Sequence, residues 1–335
     1  MLFQPAIIAL LLAAGLAVVM LAGVVPFAVQ VIRHWDIHSG SERQLALERR
    51  TYLFSTLLTF VLVAQLAALL LFVFNADRLS VMFVGAMCAV GTLNVNGWGF
   101  PSLITQMAVF FLAATWLAIN HVDTLARDYP LVRIKYALLL LLLPVLVTSF
   151  WLELQYFLGL KANVITSCCG SMFSEESKTI AAEASGLEPE PALWLFYAGM
   201  VAAIAAPLWH RRLGGRISGF LTALTSGAGF VAAIAGVLSF ISLYIYEHPH
   251  HHCPFCILKP EYDYQGYWLY VPLFIATAAG LGVGAMQAFA RRQSLASIVP
   301  HVSSRLAGLS VGGFILFTVL ATWFVLSSNL ILIEH

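Results

Sequence analysis

Long apolar runs alternate with short polar connections along the whole chain. Each run contains about twenty or more mostly apolar residues, which is the length that a helix needs to cross the hydrocarbon core of a bilayer. The pattern predicts eight transmembrane helices, at about residues 5–32, 52–76, 101–122, 134–158, 191–210, 217–246, 267–290 and 306–332. The first run lacks a basic segment before it and is longer than the apolar part of a secretory signal, so we expect it to remain as a helix.

The composition points to the same class of protein. Hydrophobic residues make up 61% of the chain and charged residues 10%, whereas charged residues form roughly 25% of an average soluble domain. The mean hydropathy is +0.89. We therefore predict an all-α polytopic membrane protein, with the lipid bilayer as its main partner. A net charge of +1 and the lack of a basic cluster in the sequence argue against nucleic-acid binding.

The basic residues predict the orientation in the membrane. If the N-terminus lies outside, thirteen of the seventeen Lys and Arg residues fall in the inner connections. The outer connections then keep Arg78, Lys161, Lys178 and Lys259. Because cytoplasmic loops carry the excess of basic residues, both termini are predicted to lie outside, N-out and C-out. In a bacterial cell this places the protein in the inner (cytoplasmic) membrane, with its outer connections on the periplasmic side.

The layout divides into two sets of four helices. Residues 1–158 form the first half and residues 191–335 the second, joined by the outer loop 159–190. In each half the connection between the second and third helices is an outer one that carries cysteine. In the first half it is the segment 78–100, whose apolar part is too short to span. We predict that this segment forms a short interfacial helix with Cys88 and packs on the bundle, since irregular backbone at this depth needs protein around it.

The second half carries its cysteines in the sequence HPHHHCPFC, residues 248–256, which combines a CxxC pair with four histidines. Thiolate sulfur serves both thiol–disulfide exchange and soft-metal binding, and imidazole is a good ligand for zinc and copper. The loop is therefore predicted to be either a redox pair or a Cu or Zn site. The candidate metal ligands are His248, His250, His251, His252, Cys253 and Cys256.

All five cysteines fall at or near the predicted outer face. Cys168 and Cys169 are adjacent, so their Cα atoms are about 3.8 Å apart, whereas ordinary disulfides join Cα atoms about 4.4–6.8 Å apart. We expect Cys253 and Cys256 to form a bridge in the oxidised protein. We expect Cys168 or Cys169 to reach either Cys88 or that bridge. A link to the bridge that changes with redox state would be a thiol relay, and a permanent link to Cys88 would be a structural disulfide. Alternatively, Cys88 is a small buried apolar residue.

Aromatic residues follow the CxxC pair, among them Tyr267 and Trp268. Tyrosine and tryptophan commonly anchor a helix at the membrane interface. The same rings can stack on a quinone, so Tyr267 and Trp268 are also the candidate residues for binding such a cofactor.

The CPFC motif at Cys253–Cys256 resembles that of the DsbB and vitamin K epoxide reductase families. The similarity includes a second cysteine pair in another outer loop, here Cys168 and Cys169, and covers little more than ten residues. The resemblance implies a four-helix bundle, a bound quinone, and two catalytic cysteine pairs between which electrons are relayed. The eight predicted helices and the adjacent second pair depart from the family pattern.

These observations favour three functions. The first is a membrane oxidoreductase that passes electrons between an extracytoplasmic thiol or redox partner and a lipid-soluble carrier such as quinone. The second is a copper- or zinc-handling protein, a transporter or a metal-insertion factor, which would meet an extracytoplasmic metal-carrying protein. The third is a structural membrane subunit that anchors an external redox complex.

Overall fold

The computed structural model describes residues 3–37, 39–161, 166 and 189–331. Within these residues the chain is helical and forms no β-strand. The α-helices are α1 (Pro5–His34), α2 (Glu42–Leu79), α3 (Ala89–Leu93), α4 (Gly99–Leu125), α5 (Val132–Leu158), α6 (Pro189–Leu213), α7 (Arg216–Gly236), α8 (Ser242–Tyr246), α9 (Gln265–Gln287) and α10 (Ile298–Ser327). A π-helical turn, Val237–Ile241, connects α7 to α8, and short 3-10 turns lie at Ser80–Met82, Cys256–Leu258, Pro260–Tyr262 and Gln293–Leu295.

Eight helical stretches in the described chain are long and apolar enough to cross a membrane. They correspond to the eight predicted spans and confirm the all-α polytopic fold. Two helices begin earlier than predicted, α2 at Glu42 and α10 at Ile298. The added turns of α2 bury Gln44, Leu47 and Thr51, at the spacing of one helix face. The other faces of these turns carry polar residues, so the turns do not belong to a continuous apolar run in the sequence.

The described chain forms two compact units, which are treated separately. Unit 1 comprises Met1–Asn75, Val95–Lys161 and Ala288–Val302. In unit 1, α5 packs against α1 and α4, and the core consists of apolar side chains from α1, α2, α4 and α5. This unit also buries an ion pair, in which Lys135 Nζ lies 2.7 Å from Asp123 Oδ2.

Unit 2 comprises Ala76–Asn94, Ala162–Gln287 and Ser303–His335. In unit 2, α7 packs against α6 and α9, and the core takes its side chains mainly from α6, α7, the π-helical turn, α9 and α10. Unit 2 therefore contains both the segment that carries Cys88 and the loop that carries the CxxC pair.

Small residues allow α7 and α9 to approach closely. A Cβ atom on Gly280 would collide with Ser226 of α7, and one on Gly284 would collide with Ala223. Close packing through small residues is a common way for membrane helices to associate. It holds the start of α9 near the end of α7 and α8, and the CxxC loop lies between α8 and α9 in the sequence.

Candidate functional site

Three cysteines of unit 2 bring their sulfur atoms together. The Sγ atoms of Cys88 and Cys253 lie 3.3 Å apart, and the Sγ atoms of Cys88, Cys253 and Cys256 all lie within 4.8 Å of one another. No disulfide joins them, and their exposed fractions are 0%, 0% and 5%. We call these three residues the thiol cluster. Among the described residues, it is the one group of three or more His, Cys, Asp or Glu side chains with ligand atoms this close.

Cys88 is positioned by the short segment that precedes α3. Gly85 has a φ of +87°, and the carbonyl group of Thr166 occupies the space that a Cβ atom would need there. The Thr166 amide donates to the carbonyl of Val84 at 3.0 Å, and its hydroxyl donates to the carbonyl of Gly91 at 2.9 Å. Thr166 therefore holds this segment on both sides of Cys88. The helix in this segment, α3, has five residues and is much shorter than the apolar length of the segment suggested. Cys88 has an extended backbone and lies directly before α3.

Two tyrosines fix the backbone of the CxxC loop. The Tyr246 hydroxyl donates to the carbonyl of Cys253, and the Tyr270 hydroxyl donates to the carbonyl of Pro254 at 2.7 Å. Cys256 starts a 3-10 turn, in which the Lys259 amide donates to the Cys256 carbonyl at 3.0 Å. The two tyrosines come from the flanking helices α8 and α9 and bond to adjacent carbonyls, so they hold the middle of the loop at Cys253 and Pro254.

The histidines of the loop do not join the thiol cluster. His252 donates from Nδ1 to the carbonyl of Leu238 at 2.8 Å, and the ring of His251 packs on Tyr246 with centroids 4.1 Å apart. His248 and His250 are exposed, and the His250 amide donates to Nδ1 of His248 at 3.3 Å. Of the predicted metal ligands, the structure thus brings Cys253 and Cys256 together and adds Cys88 in place of an imidazole.

Cys88 was not among the catalytic or metal-binding residues predicted from the sequence. Its position was the signal in the sequence. Cys88 lies between the second and third helices of the first half, and Cys253 and Cys256 lie in the corresponding connection of the second half. Cys168 and Cys169, which were predicted to be redox-active, lie outside the described residues. Their predicted linkage to Cys88 or to the CxxC pair stays a prediction.

Charged and phenolic groups surround the thiol cluster. The Asp77 carboxylate accepts a hydrogen bond from the amide of Ala89, next to Cys88, and interacts electrostatically with Cys88 and Lys259. Burial raises the pKa of the Tyr262 phenol above its ordinary value, and negative charge on Cys256 raises this pKa further. Tyr262 therefore keeps its proton when Cys256 ionises.

Tyr267 and Trp268, the candidate quinone-binding residues, lie at the start of α9. The Trp268 side chain is 66% exposed, and the Tyr267 ring is 6.3 Å from that of Tyr264. These positions suit aromatic residues that anchor a helix at the interface. The quinone role stays a prediction.

The spacing of the sulfur atoms suits two chemistries. A Zn–S bond is about 2.3 Å long, so thiolates that share one ion lie about 3.8–4.0 Å apart. The Sγ atoms of Cys88 and Cys253 lie 3.3 Å apart, and all three lie within 4.8 Å of one another, a range that includes that value. The contact between Cys88 and Cys253 also suits thiol–disulfide exchange, in which one sulfur attacks another directly.

Comparison with protein-family models, with curated proteins and with solved structures found no match for this chain. The resemblance of the CPFC motif to the DsbB and vitamin K epoxide reductase families stays a prediction from the sequence.

Proposed function

We propose that this integral membrane protein handles a soft metal ion, Cu(I) or Zn(II), at the thiol cluster. One observation carries the proposal: three buried cysteines from two distant parts of the chain place their Sγ atoms within 4.8 Å of one another. Cysteines that act as small apolar residues have no need to direct their sulfur atoms at a common point. Thiolates are the ligands that Cu(I) prefers and that Zn(II) accepts.

Burial strengthens the case for a metal. Three ionised thiols that are removed from water repel one another, and each carries a desolvation cost. A bound cation offsets both effects, since it supplies positive charge at the centre of the group.

Under this proposal the cluster faces the extracytoplasmic side, as the distribution of basic residues predicts. The expected exchange partner is an extracytoplasmic metal-carrying protein, and the membrane is a bacterial inner membrane. The protein then acts as a transporter or as a metal-insertion factor for a second protein.

Metal content of the purified full-length protein tests the proposal. After loading with Cu(I) under anaerobic conditions, or with Zn(II), we expect one ion per chain by elemental analysis. Cys88→Ser, Cys253→Ser and Cys256→Ser should each lose the ion. His250→Ala is the matched control, because His250 is exposed and lies outside the cluster, and it should keep the ion. A wild-type protein that binds neither metal would contradict the proposal.

The contact between Cys88 and Cys253 favours a second candidate function, thiol–disulfide exchange. In this reaction the Cys88 thiolate attacks Sγ of Cys253 in a Cys253–Cys256 disulfide, a Cys88–Cys253 bond forms, and Cys256 leaves as the thiolate. This exchange conserves the number of disulfides. In the net reaction an external dithiol partner is oxidised to its disulfide, and its two electrons and two protons pass to a quinone, which becomes the quinol. Mass spectrometry of the non-reduced, digested protein distinguishes the functions. A Cys88–Cys253 or Cys253–Cys256 link that changes with redox state in metal-free protein supports exchange.

A further inference from the structure

Unit 1 contains a cavity of about 440 Å³ that the thiol chemistry does not use. It lies where α1 and α4 end and where α2 and α5 begin. We call this the arginine end of unit 1. Aromatic side chains contribute to its walls, among them Trp35, Tyr52 and Tyr129, while Glu48 and Arg49 lie at its polar margin.

Two rows of side chains on α2 give the cavity its shape. Thr51, Ser55 and Thr59 recur every four residues and place hydroxyl groups along one row, whereas Tyr52, Thr56 and Phe60 form the neighbouring row. Residues four apart lie on the same helix face. The eight-residue distance along each row corresponds to about 12 Å of helix. The cavity is therefore an elongated groove that runs along α2.

The two rows differ in exposure. Thr51 and Ser55 are buried, at 4% and 5% exposed, whereas Tyr52 and Phe60 are 74% and 70% exposed. In a membrane-spanning unit the exposed row faces the lipid. The groove thus has a polar inner wall and opens sideways toward the bilayer, so that an amphiphilic molecule can enter it from the membrane.

Lys135 supplies a cationic group on the inner wall. Its side chain is 1% exposed, and its Nζ donates to Asn120 Oδ1 at 3.1 Å and pairs with Asp123 Oδ2 at 2.7 Å. An ammonium group has three N–H donors. With two of them engaged in these contacts, the third is available to an oxygen atom in the cavity.

The arginine end carries excess positive charge. Its two connections, residues 33–50 and 123–135, hold seven Lys or Arg and five Asp or Glu, which leaves two positive charges in excess. Such an excess attracts anionic lipids to the surface of a membrane protein. Charge and shape therefore favour the same kind of ligand.

We propose that this groove binds one anionic phospholipid, with its phosphate at Arg49, its ester carbonyls along the hydroxyl row near Ser55 and Lys135, and an acyl chain against Phe60. The Ser55 hydroxyl and the Lys135 ammonium group donate to lipid oxygens, while Tyr52 and Phe60 of the exposed row cover the chain. This site is independent of the proposed metal site, because its residues belong to unit 1 and the thiol cluster belongs to unit 2.

Native mass spectrometry of the purified full-length protein tests this proposal. Phosphatidylglycerol and phosphatidylcholine with identical acyl chains are the probes, and we expect one retained phosphatidylglycerol and weaker phosphatidylcholine binding. Arg49→Gln should weaken phosphatidylglycerol binding about fivefold, the factor expected from one basic residue near the headgroup. Arg43→Gln is the matched control: it makes the same change on the same helix but does not line the groove, and binding should be unchanged.

A second variant separates the groove from simple surface charge. Ser55→Ala leaves the net charge unaltered and removes one hydroxyl of the inner row, and it should also weaken phosphatidylglycerol binding. Equal losses in Arg43→Gln and Arg49→Gln, with none in Ser55→Ala, would overturn the proposal in favour of diffuse electrostatic attraction. Displacement of the lipid by millimolar inorganic phosphate would overturn it in favour of a site for the free anion. Metal content, measured on the same samples, should not change in any of these variants.

Discussion

Cys88 and Cys253 are separated by 165 positions in the sequence, and their Sγ atoms are 3.3 Å apart. Cys88 lies directly before α3, and Cys253 lies in the loop that follows α8. The contact joins the cysteine-bearing connection of the first four spans to that of the last four. Because each side contributes at least one sulfur, neither connection can form the thiol cluster alone.

Cys88→Ser should weaken metal binding although the CxxC pair remains intact. Loss of a group that only supports a metal ligand already costs about 10–100-fold in affinity, so loss of a ligand should cost more than about a hundredfold. Competition against a chelator of known affinity measures the change. An unaltered affinity in Cys88→Ser would mean that the CxxC pair binds the ion without Cys88.

Metal affinity should fall steeply as the pH decreases. A thiol binds a metal after losing its proton. While the three thiols of the free site are protonated, each releases about one proton on binding, so the affinity should fall by up to about a thousandfold per pH unit. Titrations at several values between pH 6 and pH 9 check this, and binding that ignores pH would exclude thiolate ligands.

Tyr270→Phe should loosen the CxxC loop without removing any sulfur. The substitution deletes the hydrogen bond to the Pro254 carbonyl, which contributes about 1 kcal/mol. We expect metal affinity to fall by no more than about fivefold, the factor that corresponds to about 1 kcal/mol. Tyr264→Phe is the control, since Tyr264 is 50% exposed and should leave affinity unchanged.

The end of the protein that carries the CxxC loop should be accessible from outside the cell. The cysteines of the thiol cluster are too buried to report this, so an exposed position such as His250 is the better site for a label. In a protein with Cys168→Ser and Cys169→Ser, His250→Cys should react with an impermeant maleimide in intact cells. Arg43→Cys, at the arginine end, should react after the membrane is permeabilised. The opposite pattern would reverse the predicted N-out, C-out orientation.

Removing one partner of the Asp123–Lys135 pair should destabilise unit 1 strongly. The side chains are 0% and 1% exposed, so Lys135→Met leaves a buried carboxylate without its cation, at a cost of about 3–5 kcal/mol. Asp123→Asn should cost a similar amount. Replacing both residues together should cost less than the sum of the two single changes, as measured by denaturant titration in detergent. A strictly additive double variant would show that the pair does not interact.

The number and type of helices could be predicted from the sequence because membrane spans are long continuous apolar runs. The limits of α2 and α10 could not, because their first turns bury one face and leave polar residues on the others. The CxxC loop was recognisable for a similar reason: its residues are adjacent, so its chemistry is visible in a short stretch.

The composition of the thiol cluster was harder to predict. Cys88 and Cys253 are brought together by the close approach of α7 and α9 and by the packing of Thr166 against Gly85. These are long-range contacts, and no local pattern encodes them. The predicted role of the histidines rested on nearness in sequence, which does not determine the direction of an imidazole ring, and His252 donates to the Leu238 carbonyl.

The buried Asp123–Lys135 pair bears on how the chain enters the membrane during synthesis. On the scale of the insertion machinery, a single Asp or Lys costs about 2.5–3.5 kcal/mol at the centre of a membrane helix, and less near a helix end, where the charge can reach the interface. Asp123 lies near the end of α4 and Lys135 near the start of α5, with a short connection between them. If α4 and α5 leave the translocon as a hairpin, the two charges neutralise each other before either helix meets lipid alone.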